Sequence, residues 1–174
     1  MSDIRSAARQ AGRIRSRLLG IYLNDHLAGS TIGTRRAARL ARSLRGSPYG
    51  VTLEAIAAEI EEDREVLLAL MSRLGIPARS YKILAGGAFE LAGRLKSNGR
   101  LVGRSPLTTL VELELLRLGV EGKAAAWRTL CRVAESDRRL NPEQLDHLIE
   151  RAQGQLRTLE DLRLRQAEET FLAT

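Results

Sequence analysis

Cysteine is almost missing from this chain, where Cys131 stands alone. One thiol forms no intrachain disulfide, and no CxxC or Cys/His cluster exists that could hold zinc. A reducing, cytoplasmic compartment is the simplest expectation. Aromatic residues are scarce as well, at 3%. The core must therefore be filled by Leu, Ile, Val and Ala, a mixture that favours helices over strands. Long uncharged runs are absent, so no segment approaches a membrane span. The opening MSDIRSAARQAGRIRSRLLG has arginines spread through it and no apolar stretch long enough for a signal peptide. There is no GxSxG, phosphate-binding loop or dinucleotide fingerprint. Together these absences weigh against an enzyme and against any cofactor other than a transition metal ion.

What is present suits a single folded domain. The 174 residues, 44% hydrophobic and 28% charged, suffice for one continuous core without disulfides or a structural metal. The net charge of +7 is unevenly placed. Residues 1–50 hold ten arginines against Asp3 and Asp25, a balance of +8, whereas the remainder holds 18 basic and 19 acidic groups, a balance of −1. Of the basic residues 25 are Arg, and the three lysines are Lys82, Lys96 and Lys123. The basic character thus belongs to the first helix and its leader.

Hydrophobic spacing predicts four long helices. Residues 1–15 carry no sustained apolar stripe and read as a basic, mobile leader, with one helical-bundle domain over 16–174. Helix A is expected from Ser16 to Arg45, with a seam of Leu19, Leu23, His26, Ser30, Gly33, Ala37, Leu40 and Leu44. The middle of that seam is small, and Gly29 and Gly33 would let a neighbouring backbone approach closely. Helix B is expected from an N-cap at Thr52 to Leu74, ended by Gly75-Ile76-Pro77. Its stripe is Leu53, Ile56, Ile60, Asp63, Leu67, Leu70 and Leu74, with Glu54, Glu61, Glu62 and Glu65 on the solvated face. Residues 78–105 read as a long connection carrying a short helix near Ile83 to Leu95. Helix C follows from Leu107 to Glu135, its seam being Leu113, Leu116, Val120, Ala124, Trp127, Leu130/Cys131 and Ala134. Helix D begins after Asn141 as N-cap, with Pro142 at the first position and Gln144 at the capping-box position. It ends near Phe171 and has a wholly apolar seam of Leu145, Ile149, Ala152, Leu156 and Leu159.

Two antiparallel hairpins joined by a connection of about 30 residues describe an all-α four-helix bundle with one long crossover, B and C running parallel. This layout over residues 16–171, with the carboxylate-rich phrase AEIEEDREVLLAL in helix B, resembles the ferritin-like superfamily. The resemblance implies a metal site built from a Glu on each of two helices and a Glu-x-x-His on each of the others. Here Glu62 stands where helix B would need histidine. Helix D offers neither an inward Glu nor a paired His around Ala152 to Thr158. Polar residues that could still face the core are His26, Glu59, Asp63, Glu114 and Glu121, three carboxylate-bearing or imidazole-bearing helices that could bind a single metal ion. The competing reading of the same positions is structural, with a buried His bonded to Asp or an inward Asp held by an Arg. Cys131, in the seam of helix C, reads as core packing.

Arg5, Arg9, Arg13 and Arg17 fall at helical spacing, and Arg35, Arg36, Arg39 and Arg42 are expected on the outer side of helix A. Such a strip could meet nucleic acid, an anionic membrane surface or an acidic partner, or be a solvated face complemented by acidic helix B. The near absence of stacking aromatics weighs against nucleic acid. The function expected from the sequence is non-catalytic association, with a second copy or another protein, through the small-residue seam of A or the basic leader. A ferritin-like metal-binding protein is the alternative.

Overall fold

Asn141 begins the last helix as its residue type dictates, its side chain accepting from the backbone N–H of Glu143 at 2.9 Å and of Gln144 at 3.4 Å. Pro142 follows at the first helical position, where a missing N–H costs nothing. At the end of the second helix Gly75 takes φ +69, the left-handed stop that glycine adopts without strain. Helices punctuated in this way make up the computed structural model. It describes residues 2–79 and 105–172, with side chains from residue 10 onward except 11 and 13. The described residues form α1 (Ser2–Ser43), α2 (Gly50–Arg73), α3 (Pro106–Ala134) and α4 (Pro142–Phe171), with no strand among them. No helix among them is long and apolar enough to cross a membrane. The expected connection over 78–105 and its short helix fall largely outside the described residues.

Two boundaries differ from expectation. The first helix starts at Ser2 instead of Ser16, so the leader and helix A form one element. Its Ala, Arg and Gln residues are good helix formers and no proline interrupts them. Every described side chain before Leu19 is nonetheless exposed, in keeping with the missing apolar stripe. The second helix starts at Gly50 after Tyr49, without a side-chain cap, instead of at Thr52. The turn leading into it is closed by Ser47, whose hydroxyl donates to Leu44 O at 2.7 Å and accepts from Tyr49 N–H at 3.2 Å. The Tyr49 hydroxyl donates to Glu169 at 2.5 Å, tying this turn to the end of α4. Burial and that carboxylate push the phenol up to about 12.

Contacts across the bundle fix the helix directions. Tyr22 reaches Thr129 at 3.2 Å and Arg39 reaches Glu112 at 3.1 Å, so α1 and α3 are antiparallel. Arg73 donates to Gln144 at 2.7 Å, at the opposite end from the Tyr49–Glu169 bond, so α2 and α4 are antiparallel. With α1 and α2 forming one hairpin and α3 and α4 the other, α2 and α3 run the same way.

The stripe of α2 is buried throughout, Asp63 included, and its four glutamates are exposed as expected. On α3 the seam from Leu113 to Leu130 is buried around Trp127, which is 1% exposed, while Cys131 is only partly covered. Burying each such leucine contributes about 1.5–3 kcal/mol, the driving term for the bundle. The seam of α4 is not wholly apolar, because Gln155 and Gln166 are buried within it. Asn24 is another buried polar side chain of α1. It donates to Gly20 O at 2.8 Å and Pro77 O at 3.2 Å and accepts from Arg79 N–H at 2.8 Å, fastening the chain after α2 to α1.

Candidate functional site

Asp63 sits at the centre of α2, 1% exposed, and both of its carboxylate oxygens are taken. Arg151 of α4 donates to Oδ1, and Lys123 of α3 donates to Oδ2. Lys123 also donates to Gln155 Oε1 at 2.5 Å, and Gln155 Nε2 donates to Glu59 Oε2 at 2.8 Å. Arg151 extends the chain outward to Glu62 at 3.0 Å. Three helices thus share one hydrogen-bonded ionic network, the arrangement a buried charge requires if it is not to be heavily penalised. Burial draws the Lys123 ammonium below the usual lysine range, while Asp63 beside it pulls the other way.

One side of this network faces a cavity of about 250 Å³ between α1, α2 and α3, to which Asp63 and Lys123 contribute. Glycine makes the space. Gly29 and Gly33 on α1 and Gly119 and Gly122 on α3 all line it, and a Cβ placed on any of the four would meet nothing within 4 Å. The close backbone approach expected at Gly29 and Gly33 is therefore not made. The antiparallel helices hold those positions apart, and the missing side chains leave a hollow. Leu67, Leu116, Val120 and Trp127 give it an apolar lining, and His26, Asp25 and Arg36 add polar groups. His26 is half-buried, its ring 4.5 Å edge-on from that of Tyr22. Desolvation lowers its pKa from the ordinary value, partly opposed by Asp25. On the network's other side Glu59, Arg151 and Gln155 border an open groove of about 600 Å³ between α2 and α4.

The five residues weighed as metal ligands are therefore dispersed. Asp63 and Glu59 belong to the ionic network, joined through Gln155, and His26 lies on the cavity wall. Glu114 and Glu121 are exposed, near Arg163 at 3.9 Å and Arg128 at 3.4 Å. Among the described residues no group of three or more His, Cys, Asp or Glu side chains is placed to hold a metal ion. Cys131 has its thiol 3.7 Å from Asp146, and burial and that carboxylate raise its pKa.

The arginine strip also divides. Arg17, Arg35, Arg39 and Arg42 are exposed, but Arg39 pairs with Glu112 on α3. Arg36 turns inward to the cavity instead of outward with them, since it lies seven residues beyond Gly29 on the same face. The side chains of Arg5, Arg9 and Arg13 lie outside the described ones. Arg45, in the turn after α1 and outside that strip, pairs with Glu54 of α2 at 2.8 Å. Lys123, Arg151, Gln155 and Trp127 are the site residues that sequence reasoning did not single out as functional. Lys123 carried one usable signal, a lysine three residues after Val120 and four before Trp127, on the buried side of its helix.

No protein-family model matches this chain, and neither a curated protein nor a solved structure is significantly similar to it.

Proposed function

We propose that the chain is a non-catalytic helical-bundle protein that works by association with a second copy of itself through the N-terminal part of α1. The observation that carries this reading is the exposure of Ile14, Leu18 and Ile21, at 53%, 59% and 40%, on a helix whose described side chains before Leu19 are all exposed. Spaced four and three apart, they form one stripe. In the sequence the same spacing continues back through Ala11, Ala7 and Ile4. Paired antiparallel with its twin, the exposed stripe of Ile14, Leu18 and Ile21 covers itself in an arrangement that closes as a twofold dimer. The small-residue seam, the other surface considered for association, borders the cavity and is not part of this interface.

The helix directions, with α2 and α3 parallel, support a ferritin-like layout as the finer reading of the fold. The metal chemistry of that layout is not supported, because Asp63, the most deeply buried carboxylate among the described residues, is already neutralised by two protein cations. Leu18→Asp tests the proposal by placing a charge in the seam. Its size-exclusion elution moves from dimer to monomer while its helical circular dichroism is kept, and an elution identical to wild type contradicts the proposal.

A further inference from the structure

Two buried hydrogen-bond donors on the cavity wall have no partner among the described residues, Arg36 Nη2 and Trp127 Nε1. Several polar groups around them are engaged. Ser30 donates to Leu27 O at 2.8 Å, Arg64 donates to Thr31 at 3.2 Å, and Asp63 and Lys123 bond to each other. A buried donor without an acceptor is costly, more so when it is charged. Two of them on one hollow ask for a molecule that brings acceptors. Arg36 and Trp127 stand on antiparallel helices, and a helical side chain leans toward its own N-terminus, so each leans toward the middle of the space. Leu67, Leu116 and Val120 give the hollow an aliphatic wall, and Asp25 and His26 also line it. The volume of about 250 Å³ exceeds the roughly 150 Å³ that accommodates benzene in an apolar cavity.

We infer that this cavity is a binding site for a small amphipathic carboxylic acid. Its carboxylate pairs with the Arg36 guanidinium and accepts from the Trp127 indole, and its hydrocarbon body lies against Leu67, Leu116 and Val120. Entry is between α1 and α3, where Gly29 and Gly119 are both exposed and leave the rim open. The charge of Asp63 does not oppose the acid, because Lys123 and Arg151 neutralise it. This site is independent of the apolar stripe on α1 and stands or falls without it.

Trp127 is the chain's single tryptophan, so its fluorescence reports on the site directly. Octanoate and octan-1-ol, matched in length, are titrated against the full chain. The expected result is a saturable change in Trp127 emission, with octanoate bound at least about tenfold more tightly than the alcohol, as a charge-assisted hydrogen bond implies. Arg36→Gln removes that preference and leaves octanol binding unchanged. Gly33→Leu, which fills the hollow, abolishes both responses while keeping a cooperative melt. The wild-type comparison needs no variant to fold. No saturable response, equal affinity for acid and alcohol, or full octanoate binding by a folded Gly33→Leu chain overturns the proposal.

Discussion

Lys123 on α3 donates to Asp63 on α2 inside the bundle, and the two side chains are 14% and 1% exposed. Neither charge has enough water around it to stand alone, so each makes the other tolerable. One of the carboxylates considered in the sequence as a metal ligand is thereby part of an internal ion pair.

Asp63→Ala leaves Lys123 and Arg151 without their buried counter-charge, and the expected loss of stability is about 3–5 kcal/mol, read from urea denaturation. Treatment of the wild-type protein with a strong chelator is expected to leave its melting temperature unchanged. A chelator-induced drop would show that a metal contributes where the ion pair is placed.

His26 supplies a pH dependence of definite sign. Burial lowers its pKa below the ordinary 6.5, so its contribution to stability is full above that value and is lost as pH falls through the folded-state pKa. Asp25, Arg36, Asp63 and Lys123 share the cavity wall with it. The melting temperature is expected to fall as pH drops from 7 to about 5, and His26→Gln to flatten that slope. An equal slope in the variant would remove the assignment to His26.

Two glycines should respond oppositely to alanine. At Gly29 a Cβ meets nothing within 4 Å, and Gly29→Ala is expected to stabilise the protein by about 1 kcal/mol through helix propensity. At Gly50 the Cβ would lie 2.5 Å from the Arg45 carbonyl oxygen and 2.8 Å from that of Leu44, both backbone atoms. Gly50→Ala is expected to destabilise by about 1–3 kcal/mol, the usual cost of overpacking. Thermal melts of the pair check both signs.

Strong periodicity made much of this fold legible in the sequence. The α2 stripe, the Gly75 stop and the Asn141 cap all follow from local chemistry that neighbours do not override. The site was less legible, since Asp63 could be seen to point inward but its partners could not. Gln155 and Leu156 both fit the helical spacing between Ala152 and Leu159, and only the packing of α2 against α4 selects Gln155 for burial. A cavity is harder still to read, because it depends on four glycines from two helices meeting at one level. The unpacked start of α1 was visible as a missing stripe, yet helix propensity carries the element through to Ser2.

Light scattering of the intact protein over a hundredfold dilution tests the association of α1 most directly. A mass of twice the 19.2 kDa chain, falling toward the single-chain value only at the lowest concentrations, is the predicted result. A mass of one chain at every concentration would contradict it.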